Sequence, residues 1–105
     1  MVRRRNDENA MAYFGILKRL LSGSTDRHPI EQLAVESANA IIGIITRNKK
    51  VNFWDDHDAQ QRTIDEIDDY LYDGLKHKFG LKLTTDQMDE IIRQAMQLAN
   101  RRKIV

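Results

Sequence analysis

The sequence predicts an all-α fold, a four-helix and mostly antiparallel bundle-like domain that spans all 105 residues. Apolar residues recur at three- and four-residue spacing in four separate segments, which is the pattern of amphipathic helices. The chain has five glycines and one proline, about half of average usage, so few tight turns are available for a many-stranded fold. Leu, Ile, Val and Phe make up 27 residues, about a quarter of the chain, which is enough to expect a folded core.

The first predicted helix covers residues 6–21. Its apolar stripe consists of four residues at helical spacing: Ala10, Phe14, Leu17 and Leu21. Asp7 and Glu8 are expected in its first turn, where acidic side chains interact favourably with the helix dipole. Pro29, which is tolerated at the first position of a helix, begins the second predicted helix at residues 29–47. That helix is apolar around much of its circumference, so we expect it to lie centrally in the bundle.

Two further helices are predicted in the second half of the chain, at residues 58–79 and 85–102. Trp54 lies in the short apolar connector before the third helix and is expected to cover one end of the bundle rather than to form an exposed stacking platform. Gly80 follows the third helix and suits the left-handed conformation just past a helix end. Thr84 and Gln87 form the capping-box pattern at the start of the fourth helix. These patterns predict structural roles for Trp54, Gly80 and Thr84.

The residue types present exclude several classes of functional site. There is no cysteine, so disulfides, thiolate zinc sites, iron–sulfur clusters and cysteine nucleophiles are ruled out. The sequence contains no glycine-rich phosphate loop and no Gly-x-Ser-x-Gly motif, and its three histidines lie on different predicted elements. We therefore expect no catalytic, cofactor or metal site in this chain. No apolar run approaches the ~18–20 residues of a membrane span, and no secretion signal is recognisable, so a cytoplasmic location is expected.

An acidic stretch in the third helix carries the strongest functional signal. Residues 55–73 have a net charge of −7, although the whole chain has a net charge of +1. Within this stretch Asp65, Asp69 and Asp73 follow one another at four-residue spacing, away from the apolar stripe. Like charges at this spacing cost roughly a few tenths of a kcal/mol in an isolated helix. These three residues, called the acidic ridge below, are therefore either a solvated face or a surface that meets a basic partner, and both interpretations are kept.

Asp68 is expected to differ from the acidic ridge, because helical spacing places it at the edge of the apolar stripe, near Leu71 and Leu75. A partly buried carboxylate there requires a hydrogen bond or a cationic partner. A structural tie to a basic side chain, a tyrosine hydroxyl or a helix N-terminus is the favoured interpretation. No second group suited to acid–base catalysis is predicted beside it.

Two features of the sequence favour nucleic-acid binding, a resemblance to a helix-turn-helix and the basic chain ends, and the acidic start of the fourth helix argues against the first of them. The helix after Gly80 resembles the second helix of a helix-turn-helix, but its N-terminal end carries Asp86 and Asp89, which phosphates would repel. The basic chain ends remain candidates for contact with a phosphate backbone: Arg3, Arg4, Arg5, Arg101, Arg102 and Lys103. The alternative is that these ends are solvated tails.

Four segments resemble the C-terminal helical domain of the restriction, or motor, (R) subunit of type I restriction–modification enzymes. They are residues 10–18, residues 51–54, the run Ile67-Asp68-Asp69-Tyr70-Leu71-Tyr72-Asp73, and the run Met88-Asp89-Glu90-Ile91-Ile92. The last two runs, at their separation, are the more specific ones. The resemblance covers most of the chain and implies that it is a domain of a longer, multidomain subunit.

The resemblance implies functions that lie largely outside these 105 residues. The parent subunit would be an ATP- and Mg²⁺-dependent DNA translocase and endonuclease, assembled with modification (methyltransferase) and specificity subunits. No catalytic residue carries over, because neither the Gly-Lys-Ser/Thr nucleotide loop nor the nuclease Asp and Glu-x-Lys set is present. We expect Asp65, Asp69 and Asp73, together with Tyr72, to face the methyltransferase subunit or the motor domains. The alternatives are a stand-alone helical binding protein or homodimer, and an auxiliary DNA-contact module.

Overall fold

The computed structural model describes the backbone of residues 2–23 and 29–101, with side chains described from Ala10 onward. Within these ranges the chain forms four helices and no β-strand, which confirms the predicted all-α fold. The helices are α1 (Val2–Leu21), α2 (Ile30–Arg47), α3 (His57–Asp69) and α4 (Thr85–Arg101). A 3₁₀ turn spans Phe53–Asp55, and a π-helical segment, Tyr70–His77, continues α3 without a break. None of the described helices is both long and apolar enough to cross a lipid bilayer.

Most predicted helix ends lie within two residues of the observed ones, but α1 begins earlier than predicted. It starts at Val2 instead of residue 6, so Asp7 and Glu8 lie beyond the first turn, and their predicted interaction with the helix start is wrong. Arginine is a good helix former, which explains why residues 3–5 continue the helix toward the N-terminus. Pro29 precedes α2 in an extended conformation, with φ −60° and ψ 124°, rather than occupying its first turn.

The hydrophobic core lies between the four helices. α1 packs against α2 and α4, and α3 packs against α2 and α4. Large and fully buried side chains come from each of these helices and from the π segment: Tyr13, Leu17, Leu21, Leu33, Ile41, Ile45, Ile67, Leu71, Leu75 and Ile91. The chain therefore uses most of its large aliphatic side chains to hold the helices together.

Half of the stripe predicted for α1 is confirmed, since Leu17 and Leu21 are buried, but Tyr13 takes the place expected for Phe14. Tyr13 is fully buried, whereas Ala10 and Phe14 are only half-buried. The Tyr13 hydroxyl donates a hydrogen bond to the Ala95 carbonyl oxygen of α4 at 2.9 Å. A buried phenol needs such a partner, so this contact both fills the core and ties α1 to α4.

The signals predicted at the end of the third helix and at the start of the fourth are observed. Gly80 has φ +68°, the left-handed conformation, and the Leu81 amide donates to the Leu75 carbonyl at 3.2 Å. At the start of α4 the Thr84 amide donates to Gln87 Oε1 at 2.8 Å, and the Gln87 amide donates to Thr84 Oγ1 at 3.1 Å. The capping box predicted for Thr84 is therefore confirmed.

The connector before α3 packs against the bundle through two aromatic rings. Phe53 is buried, and Trp54 lies half-buried against the core with its ring edge-on to Phe53, at 4.9 Å between centroids. Asp56 caps α3 by accepting a hydrogen bond from the Ala59 amide at 3.0 Å. The connector thus fixes the first turn of α3, from which the acidic ridge extends.

Candidate docking surface on the third helix

The buried side of α3 and the π segment follows a strict four-residue repeat: Ala59, Thr63, Ile67, Leu71 and Leu75. In a regular α-helix each four-residue step turns a side chain by about 40° around the axis, so such a row would wind away from the core. The π segment has wider turns closed by i→i+5 bonds, such as that from the Lys78 amide to the Asp73 carbonyl at 3.2 Å. Wider turns rotate the row in the opposite sense, which keeps it on the core through Leu75.

This geometry corrects the prediction of one regular α-helix over residues 58–79. The α-helical hydrogen bonding ends at Asp69, and the π segment ends at His77. The correction matters for function because the acidic ridge crosses the junction, with Asp65 and Asp69 in α3 and Asp73 in the π segment.

The acidic ridge lies on the solvent side of this helix. Asp65, Asp69 and Asp73 are all exposed. Each is two residues from a member of the buried repeat, and two residues correspond to about 200° of helix rotation, so the ridge lies nearly opposite the core. Gln61 extends the row by one step, and its Nε2 donates to Asp65 Oδ1 at 2.9 Å.

Among the described residues, two basic side chains near α3 pair with the carboxylates that flank the ridge rather than with the ridge itself. Lys50 Nζ lies 2.6 Å from Asp56 Oδ2, and Arg47 pairs with Glu66. The Asn48 amide also donates to Glu66 Oε1 at 3.2 Å. The described residues include no salt bridge to Asp65, Asp69 or Asp73.

These contacts change the acidity of the flanking carboxylates. Hydrogen bonds from Arg47 and Asn48 lower the pKa of Glu66, and a hydrogen bond from Lys50 lowers the pKa of Asp56. Both carboxylates are therefore held in their charged form by partners within the domain.

Tyr72 lies next to Asp73 and is one of the few large apolar side chains that the described residues leave exposed, at 44%. Its ring is flanked by two basic side chains. The His77 ring lies 4.5 Å away between centroids, tilted by 51°, and Lys76 Nζ lies 5.4 Å from the Tyr72 ring centroid. Tyr72 is thus an exposed aromatic group with neighbours that limit its movement.

Asp68 is exposed, so the prediction that it is partly buried and tied to a partner is wrong. The prediction placed the stripe by averaging over a regular helix that included Leu71 and Leu75. Near Asp68 the core direction is defined by Ile67, which is about 100° away around the axis. The π segment brings Leu71 and Leu75 back toward that direction and leaves Asp68 on the solvent side.

The basic chain ends are described only in part. Arg101 is exposed at the end of α4. Arg3, Arg4 and Arg5 lie in α1 with no description of their side chains, and Arg102 and Lys103 lie outside the described residues.

Two contacts tie α1 to α4. Tyr13 bonds to Ala95, and Arg19 donates to Gln94 Oε1 at 2.6 Å, so two residues of α1 that lie almost two turns apart both meet neighbouring residues of α4.

Other surface features offer less chemistry. An open groove of about 290 Å³ lies between α1 and α2, and it is lined by Ala10, Met11, Phe14, Val35, Ala38 and Asn39. None of these side chains titrates, so the groove has no group for acid–base or nucleophilic chemistry. The part of the chain that the structure describes holds no cluster of three or more His, Asp or Glu side chains placed to bind a metal ion.

Comparisons of the chain with models of protein families, with curated proteins and with solved structures gave no match.

Proposed function

We propose that this chain is a docking domain without a catalytic centre of its own, and that the acidic ridge binds a basic surface of a partner protein. One observation carries the proposal: Asp65, Asp69 and Asp73 are exposed in a row, while cations of the same chain pair with Asp56 and Glu66. A row of like charges repels itself in an isolated domain. It gains favourable interactions when a complementary surface of another molecule approaches.

The resemblance to the R subunit of type I restriction–modification enzymes supplies the partner in this proposal. The acidic ridge, with Tyr72, would contact the modification (methyltransferase) subunit or the motor domains of a longer chain, in a complex that also contains the specificity subunit. DNA, ATP and Mg²⁺ would be bound by other parts of that complex, in which the ATP-dependent translocase and endonuclease activities reside. The Ile67–Asp73 run that carries much of the resemblance contains both Asp69 and Tyr72.

The strength of charge–charge interactions limits what the ridge would contribute to binding. Exposed charge pairs are worth only about 0.2–1 kcal/mol each, so three of them cannot supply a whole binding energy. Complementary charge does accelerate encounter and fix orientation, and both effects weaken as salt screens the charges. A docking role for the ridge therefore requires assembly that depends on ionic strength.

The experiment replaces all three ridge residues by lysine in the full-length subunit: Asp65→Lys, Asp69→Lys and Asp73→Lys. Assembly with the methyltransferase core is then measured by analytical ultracentrifugation at low and at high ionic strength. We expect assembly to be strongly weakened at low ionic strength, and the difference from the wild type to shrink as salt is added.

The control variant carries lysine at three other exposed aspartates, which lie outside the ridge: Asp55, Asp86 and Asp89. Its change in net charge equals that of the ridge variant. We expect this triple variant to assemble nearly as well as the wild type. Unchanged assembly of the ridge variant at low salt, or equal weakening of both triple variants, would overturn the proposal.

A second candidate function is contact with a nucleic-acid backbone through the basic chain ends. It rests on the residue types of those ends: Arg3, Arg4 and Arg5 lie near one end of the chain, and the exposed Arg101 lies near the other. Clustered arginines and lysines at one end would form a sequence-independent phosphate contact.

A further inference from the structure

We propose that the π segment is a positioning device for the docking surface, in which the Tyr70 ring lying over Gly74 holds the widened turns that present Tyr72 to a partner. The inference rests on the proposed docking function, and it deepens that proposal by naming the aromatic contact residue and the residues that position it. Tyr70 and Gly74 act through Tyr72 and are positioning residues.

Gly74 lies in close contact with the Tyr70 ring. A Cβ atom at position 74 would lie 2.9 Å from Tyr70 Cε1 and 3.0 Å from Tyr70 Cδ1, closer than side-chain carbons approach one another. Moving the Tyr70 ring aside would disturb two contacts, because the ring is partly buried against the core and its hydroxyl lies near Ser37 of α2. By contrast, a Cβ atom added at Gly15 or Gly43 would meet no atom within 4 Å.

Burial of the Tyr70 ring also changes the acidity of its hydroxyl group. It raises the pKa of the Tyr70 hydroxyl, and hydrogen bonding to Ser37 offsets part of that effect. The Tyr70 hydroxyl thus lies near α2, and the ring carbons Cδ1 and Cε1 lie beside Gly74. Together these contacts hold the Tyr70 ring in the space that the methyl group of an alanine at position 74 would occupy.

The arrangement around Tyr72 depends on the π segment. Tyr72 and His77 are five residues apart, and in a regular α-helix side chains at this spacing point about 140° away from each other. In a helix closed by i→i+5 bonds they lie above one another, which is how the two rings come within 4.5 Å. Lys76 lies over the same Tyr72 ring at 5.4 Å. An exposed aromatic side chain that is already restrained loses less conformational freedom on binding.

The test compares Gly74→Ala with Gly43→Ala, each of which replaces a helical glycine by alanine. Proton NMR of the chain detects the nuclear Overhauser effect between the Tyr72 and His77 rings. We expect this contact in the wild type and in Gly43→Ala, and its loss in Gly74→Ala. Tyr70→Leu, which removes the ring without adding an atom at position 74, is the second variant if Gly74→Ala does not fold, and we expect the same loss.

Docking is measured with the same substitutions in the full-length subunit. We expect Gly74→Ala to bind the methyltransferase core about tenfold more weakly, the size of effect typical of losing one well-placed aromatic contact, and Gly43→Ala to bind as the wild type. A retained contact between the two rings in Gly74→Ala would overturn the positioning role. Loss of that contact with unchanged affinity would overturn its part in docking.

Failure of the acidic-ridge proposal would be visible separately. In that case the triple lysine variant would assemble normally while the two glycine variants still differed in the Tyr72–His77 contact.

Discussion

Two side chains at the start of α4 provide a test of the fold at the residue scale. Thr84 and Gln87 exchange hydrogen bonds of 3.1 Å and 2.8 Å across the first turn. Thr84→Ala removes the acceptor for the Gln87 amide, so we expect the free energy of unfolding to fall by about 1 kcal/mol. Urea denaturation followed by circular dichroism measures the change. Thr84→Ser keeps the hydroxyl and should lose far less, and an equal loss in both variants would contradict the capping role.

Glu66 should make stability depend on pH. Arg47 and Asn48 hold the pKa of Glu66 below its ordinary value in the folded state. As pH falls, the unfolded chain takes up a proton at this residue before the folded chain does, so the stabilisation is present above the ordinary glutamate pKa and is lost as pH falls through the folded value. We expect the difference in unfolding free energy between the wild type and Glu66→Gln to shrink between pH 7 and pH 3.

The Glu66 measurement requires low ionic strength, because the Arg47 side chain is 64% exposed and salt screens the pair. Asp68→Asn serves as the control, because Asp68 is an exposed carboxylate within α3, away from its first turn, for which the described residues include no salt bridge. A wild-type advantage over Glu66→Gln that stays constant with pH would contradict the assignment of the Arg47 contact.

The residues that could be predicted from sequence are those whose environment is local. Thr84 and Gly80 act through a few neighbouring positions, so the composition of one turn is sufficient to predict their roles. The exposure of Asp65, Asp69 and Asp73 could be predicted because these residues lie nearly opposite the buried repeat. A small error in the predicted rotation of the helix leaves them in solvent. Asp68 lies between the core side and the solvent side of the helix, where the same error decides whether the residue is predicted to be buried or exposed.

At the scale of helices, two glycines should respond oppositely to the same substitution. Gly43 is exposed in α2 and a Cβ atom there meets nothing within 4 Å, so Gly43→Ala should stabilise the protein by about 0.5–1 kcal/mol through helix propensity. Gly74→Ala should destabilise it, since the new methyl group meets the Tyr70 ring at 2.9 Å. Thermal unfolding measures both variants. A shift of the same sign in both would contradict the packing described for Gly74.

The π segment is where helix prediction from sequence was wrong, although a signal exists. Analysis at 3.6 residues per turn treats α3 as regular and accepts Ile67, Leu71 and Leu75 as one broad stripe. The strict four-residue repeat, sustained from Ala59 to Leu75, is too long for a regular helix to keep on one side. A glycine at position 74, four residues after a tyrosine, is the second sign. Neither sign fixes a π-helical turn without the neighbouring helices that bury the repeat.

At the scale of the whole molecule, the two candidate functions predict opposite results with DNA. The net charge is only +1 and the ridge repels phosphates, so a docking domain should show little affinity for duplex DNA. Filter binding of the chain over a range of salt concentrations measures this. Binding whose affinity falls steeply with salt, and which is lost in an Arg3→Ala, Arg4→Ala and Arg5→Ala variant, would instead support contact through the basic chain ends.

The number and order of helices could be predicted because apolar spacing, low glycine and proline content and helix-end signals all agree along the chain. Which surface would meet a partner is less accessible to sequence, since it depends on where cations settle after folding. Arg47 lies 19 residues before Glu66, and only the packing of α2 on α3 shows that it pairs with Glu66 rather than with Asp65 or Asp69.

The widened turn between Tyr70 and His77 is a place where the chain length can change by one residue between homologues. A turn closed by i→i+5 bonds holds about one residue more than a regular turn, so deleting one residue there would let the helix close normally. Leu71 and Leu75 would then be three residues apart, a spacing that still faces the core. Homologues one residue shorter in this stretch should keep the bundle but turn the residue equivalent to Tyr72 in a new direction. A single-codon deletion would thus redirect the exposed aromatic side chain while the apolar row stayed on the core.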